Sequence, residues 1–440
     1  MRGLARVGAV VLGVSMATAT QAVHHDADRV DTTLGIPGRT NANVSIAAHG
    51  DVVAVVWGAA TADGATDIEA AVSQDGGRSF NAPVRVSPVT GGVRVSGEQP
   101  PHVALAGRPG GGLAVVVVWT ARAAEGARLL TARSEDGGRS FGPPSVVPGS
   151  DAGGNRGWEA IATGPDGRVA AIWLDHRELA RASSAGTPMH HDGEGHAGQM
   201  ARPDGAIAAQ SSKLYFGRVD GLDPPVVVTG GVCYCCKTAL GVGGAGQVYA
   251  AWRHVYPGNL RDIAFAASVD GGRTFAAPVR VSEDHWAVDG CPENGPAIAV
   301  APTGRVHAAW PTMAGGAAAD ESIPALFYAW SDDGQRFTPR QRLPTEGTPG
   351  HVQAAIDAAG GLMVVWDELV AGRRRVVLAT RHQGDGRAGG FNRAVISGNA
   401  GAAYPVVALG ADGAVVAWTD GGPDRSAIRV ARLARDAGRD

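Results

Sequence analysis

All four cysteines of the chain stand in two short clusters, Cys233-Tyr234-Cys235-Cys236 and Asp289-Gly290-Cys291-Pro292. Thiolate sulfur is a ligand for soft or borderline metal ions, and in an oxidising compartment thiols also become disulfides. Between the clusters His254 follows Trp252-Arg253. Ahead of them, Met189-His190-His191 and His196 to Met200 place three imidazoles between two thioethers. Sulfur and imidazole together point to copper rather than to calcium or magnesium, which take oxygen ligands. The predicted ligands are Cys233, Cys235, Cys236, Cys291, Met189, His190, His191, His196, Met200 and His254. Cys-x-Cys-Cys is not the paired Cys-x-x-Cys of a zinc finger. The alternative use of the same atoms is a staple. Adjacent Cys235 and Cys236 are poor partners for each other, so Cys291 is expected to pair with one member of the first cluster.

The first residues bear on which of these holds. Arg2 and Arg6 precede an apolar run from Val7 to Ala17 and small residues ending at Ala22. That is the layout of a secretory signal over 1–22, too short in its apolar part to span a bilayer. Export to the periplasm or beyond is therefore expected, where disulfides are permitted. Cleavage after Ala22 would leave Val23-His24-His25, whose amine, amides and third-residue imidazole suit square-planar Cu(II). A formal net charge of −3 supplies no basic field, which argues against a nucleic-acid partner.

For distant cysteines to meet, the intervening chain must return them to one place, and its repeats show how. Short Val- and Ala-rich runs end in Trp57, Trp119, Trp173, Trp252, Trp310, Trp366 and Trp418, at intervals of 52 to 79 residues. After most of them comes Ser-x-Asp-x-Gly-x-Ser/Thr-Phe: Ser73 to Phe80, Ser134 to Phe141, Ser268 to Phe275, and a shortened copy from Ser331 to Phe337. Strands of this length and period, punctuated by Asp-Gly turns, predict an all-β propeller of four-stranded blades over 23–440. Seven tryptophan strands imply seven blades, with six as the alternative. The last copy lacks a fourth strand, and 30–34 could supply it and close the ring.

The repeated boxes resemble the Asp-box, or BNR, repeats of sialidase-like propellers, a resemblance that extends through the blade periodicity over nearly the whole mature chain. In such a blade the loop after the tryptophan strand and the segment ahead of the innermost strand share the face opposite the boxes, where propellers usually bind ligands. The cysteines, His254 and the Met189–Met200 insertion fall on that face, in blades three to five.

The resemblance also implies an enzyme reading, in which arginines clamp the carboxylate of a terminal sialic acid, a tyrosine is the nucleophile, and an acid completes the site. The residues placed to serve are Arg177, Arg253, Tyr256, Asp175 and Glu293, with Arg373 on the same face. The family's Arg-Ile-Pro motif is not matched by Gly35-Ile36-Pro37-Gly38-Arg39. Three functions are thus carried forward: a soft-metal binding protein with copper as its ion, an exo-sialidase acting on a sialylated glycan, and a propeller that binds a periplasmic protein or a glycan with its cysteines as staples.

Overall fold

Each of the seven tryptophans falls on the second strand of its own four-stranded antiparallel sheet in the computed structural model, which describes residues 29–89, 91–179, 209–221, 223–288, 290–315, 322–382, 390–398, 401–422 and 425–434. The innermost strands are Thr40–His49, His102–Gly107, Arg156–Thr163, Ala239–Val242, Ala297–Val300, Thr348–Ile356 and Ala402–Gly410. Each contacts the next around the ring, and the seventh contacts the first. The protein is a seven-bladed β-propeller, and the six-blade alternative falls away. No helix of the described residues is long and apolar enough to cross a membrane.

Second strands read as unbroken apolar runs because adjacent blades cover both of their faces. Val169–Asp175 is buried at every position. Each tryptophan joins the apolar cluster between its own blade and the one before it: Trp119 packs with Val56 and Ile68, and Trp57 with Val415 and Val430. At 1 % exposure or less, each contributes roughly 4–6 kcal/mol of apolar burial.

The Asp-containing boxes are turns between third and fourth strands. Ser73, Ser134 and Ser268 each accept the amide of the glycine four residues on, at 2.8 Å. Asp75, Asp136 and Asp270 accept the amide of the following Ser or Thr at 2.9 to 3.0 Å. The shortened copy keeps the scheme through Gly334 and Gln335. Glycine is required at Gly272, where φ is +93° and a Cβ would lie 2.0 Å from Phe216.

Ring closure uses both ends of the chain. Val30–Leu34 pairs antiparallel with Arg425–Ala434, from Val30 opposite Arg432 to Leu34 opposite Ile428. Asn41, 3 % exposed, locks the seam. Its Oδ1 accepts from Ile36 N and Trp57 Nε1, its Nδ2 donates to Ser426 O at 3.2 Å, and Ser426 Oγ donates back to Asn41 O at 2.8 Å. Asn41→Ala leaves buried donors without partners and should destabilise the protein by about 2–3 kcal/mol. Urea denaturation monitored by tryptophan fluorescence checks this, and an unchanged midpoint would contradict the latch.

Candidate functional site at the channel mouth

The sulfurs meet. Cys233 N donates to Arg253 O at 2.9 Å, which pins the start of the turn that precedes blade four. From there the Cys233 Sγ lies 3.7 Å from Cys235 Sγ and 3.6 Å from Cys236 Sγ, and all three residues are buried. Cys235 is disulfide-bonded to Cys291, with Cα atoms 6.1 Å apart, so the bridge expected between the segments leading into blades four and five is present. Cys233 and Cys236 are free thiols. Cys291 is exposed.

Arg261, 1 % exposed, donates to Cys233 Sγ at 3.1 Å. The hydrogen bond with Cys236 holds the Cys233 thiol below the usual range against the opposing effect of burial, and the Arg261 and Arg253 guanidinium groups lower it further. Burial, reinforced by the bond to Cys233, pushes Cys236 well above that range. The pair therefore holds one acidic and one reluctant sulfur.

The other predicted ligands are placed differently. His254 is not among the clustered donors: its Nδ1 faces Trp252 Nε1 at 3.3 Å and its ring packs 4.5 Å from that of Tyr256. Burial, with Arg280 nearby, brings it down to about 4. Met189, His190, His191, His196, Met200, His24 and His25 lie outside the described residues.

The residues assigned to a sialidase site do not converge, and the structure gives most of them other work. Asp175, fully buried, receives Arg177 Nη2 at 2.6 Å, Arg156 Nε at 3.1 Å and Trp173 Nε1 at 3.2 Å. Burial alone would raise its carboxyl, but those guanidinium forks hold it at about 2. Such a carboxylate is a poor acid, and Arg177, bonded also to Gly149 O, is a poor clamp. Arg253, 1 % exposed, donates to the carbonyls of Asn294, Arg261 and Pro311. Tyr256 lies under Arg280, 3.8 Å from its ring centroid, and burial raises its hydroxyl. Arg373 is exposed opposite Val370 in blade six. Glu293, exposed with φ +48°, is the member of that set whose charge reaches the channel mouth, acting on Glu98 and Tyr404.

What sequence reasoning missed is the polar neck beneath that mouth. Glu98, 6 % exposed, accepts from Lys237 N at 3.3 Å and lies 3.8 Å from His351 Nε2. His351 Nδ1 bonds Asp367 at 2.6 Å, Asp367 also takes Tyr404 N and Arg374, and the His351 and Tyr404 rings lie 3.8 Å apart. Lys237 Nζ donates to Val352 O at 2.8 Å. Trp158, His351 and Tyr404 have positive φ at register shifts in their innermost strands, where a bulge re-aims a side chain. Glu98 Oε1, Gln99 Nε2 and His102 Nε2 are buried with no hydrogen-bond partner among the described residues. One signal was available: Asn43, Trp158, Lys237, Asn294, His351 and Tyr404 stand 14 to 16 residues ahead of their tryptophans.

No family model and no curated protein matches the chain. Among solved structures, it is similar to a protein of unknown function from Dyadobacter fermentans, at 14% identity and a TM-score of 0.50 over 92% of this chain and 98% of that one. It is also similar to the alpha-L-arabinofuranosidase of Fusarium graminearum complexed with arabinobiose, at 11% identity and a TM-score of 0.52 over 92% and 97%. A Hadza microbial sialidase matches at 13% identity and a TM-score of 0.44 over 84% and 73%. Likeness to the first two, at these identities, shows a shared propeller fold.

Glu159 gives the neck a titration that can be measured. Fully buried and bonded by Thr120 Oγ1 at 3.0 Å, its carboxyl is raised by desolvation from 4.5 to about 7. Because the folded value is the higher one, its contribution to stability is complete below pH 4.5 and is lost as the pH climbs through 7. Across that window the wild type should lose up to about 3 kcal/mol from this group, and Glu159→Gln should remove that loss. Equal pH slopes in urea denaturation of the two proteins would contradict it.

Proposed function

We propose that the protein binds a soft metal ion, copper(I) foremost, through Cys233 and Cys236 at the channel mouth, and that it handles or delivers copper outside the cytoplasm. One observation carries this reading: the Cys233, Cys235 and Cys236 sulfurs lie within 4.8 Å of one another and are buried. An ion bonded to two sulfurs at about 2.3 Å each sets them about 3.8 Å apart at a tetrahedral angle, close to the 3.6 Å between the free thiols. Cys235 is held by Cys291, so two thiols remain, and no His, Asp or Glu joins the group among the described residues. Structural zinc takes four ligands, whereas copper(I) accepts fewer and prefers thiolate. The His/Met insertion of 189–200 and the leader-like first 22 residues support copper and export respectively.

Anaerobic titration with copper(I) against bathocuproine disulfonate tests the reading. One tightly held ion per chain is expected, with affinity falling at least 100-fold in Cys233→Ser and Cys236→Ser. Equal binding by the wild type and the double variant would contradict it.

A second reading, a glycoside hydrolase acting on a terminal sialic acid or arabinofuranose, draws on the neck rather than on the arginines. Glu98 and Glu159 are buried carboxyls raised by desolvation, the state a general acid needs. If it holds, fluorogenic sialoside or arabinofuranoside is turned over, and Glu98→Gln lowers turnover by about 100-fold without loss of copper. No turnover of either substrate between pH 4 and 8 removes it.

A further inference from the structure

Two free thiols packed against a disulfide form a reactive arrangement as well as a ligand set. Cys233 Sγ stands between two sulfurs, 3.7 Å from the disulfide-bonded Cys235 and 3.6 Å from the thiol of Cys236. On the far side of that disulfide Cys291 is exposed, whereas the other three cysteines are buried. A thiol in van der Waals reach of a disulfide sulfur, with a second thiol in reach of the first, has the connectivity of attacking and resolving residues in thiol–disulfide exchange. Arg261, which donates to Cys233 Sγ at 3.1 Å, favours the negative sulfur that attack requires.

We propose that the four cysteines form a relay through which the buried Cys233–Cys236 dithiol reduces an external disulfide at the surface. Cys233, giving up its proton, bonds to Cys235 Sγ; the Cys235–Cys291 bond breaks, and Cys291 leaves with the electron pair and takes up a proton at the surface. Cys236, giving up its proton, then bonds to Cys233, and Cys235 leaves as a thiol. One disulfide and two thiols are present before and after, so the internal shift needs no oxidant. The exposed Cys291 thiol attacks the external disulfide and releases one thiol, and Cys235 displaces the second by re-forming its bond to Cys291. The sum is one external disulfide reduced to two thiols and one Cys233–Cys236 disulfide formed. This activity goes beyond metal binding and does not depend on it.

The test uses the native, copper-free protein treated with N-ethylmaleimide, followed by denaturation in acid, digestion and disulfide mapping by mass spectrometry. In the wild type the label should accumulate on Cys291 while a Cys233–Cys236 disulfide appears. In Cys233→Ser, which keeps the Cys235–Cys291 bond but lacks the attacking sulfur, labelling of Cys291 should fall at least ten-fold. Wild-type protein labelled on Cys233 and Cys236 with Cys235–Cys291 intact overturns the relay, and does so without any variant having to fold. Copper(I) stoichiometry is scored separately, so a chain that binds copper yet shows that labelling loses the relay and keeps the metal site.

Discussion

Closure of the ring is the constraint on which everything at the channel mouth depends. Val30–Leu34 completes the seventh blade by pairing with Arg425–Ala434, and Asn41 and Ser426 bond across that seam over 385 residues of chain. A closed ring leaves no blade with an uncovered face, so each tryptophan is packed between two sheets. It also fixes where the connections emerge. Glu98 from blade two, Lys237 from blade four, His351 from blade six and Tyr404 from blade seven touch only because the ring brings their strands round to one axis.

That axis holds an unusual load of buried charge. Glu98, Lys237, His351 and Asp367 are all at most 9 % exposed. Taking such groups out of water costs several kcal/mol each unless they are paired. Pairing is supplied piecemeal: Asp367 collects His351, Arg374 and Tyr404 N, whereas Glu98 keeps one oxygen without a hydrogen bond and its carboxyl is raised by desolvation. Structural arginines elsewhere on this face, such as Arg253 and Arg156, are satisfied by backbone carbonyls and by Asp175. The contrast sets the channel mouth apart from the rest of the face, and the sulfur cluster lies beside it, close enough for Glu98 to act on Cys236.

Blade number, tryptophan strands and Asp turns were legible in the sequence because they repeat, and repetition reports periodic packing directly. The meeting of Cys291 with the first cysteine cluster was legible too, since blade connectivity alone sends both segments to one face. Which cysteine it would join was not, because that depends on side-chain directions within the turn around Cys235. Arg177 and Arg253 were misjudged for a related reason. A guanidinium in a loop looks available until the structure shows Asp175 two residues back, or the carbonyls of Asn294 and Pro311, occupying it. The neck was overlooked because each of its residues is single, of a different type and in a different blade. Only their common phase ahead of the tryptophans betrays them.

X-ray absorption at the copper K-edge, on protein loaded anaerobically with one equivalent of copper(I), tests the central claim most directly. The account predicts a first shell made of sulfur alone, from Cys233 and Cys236, that disappears in the double serine variant. A shell of nitrogen or oxygen, or a spectrum that the double substitution leaves unchanged, would contradict it.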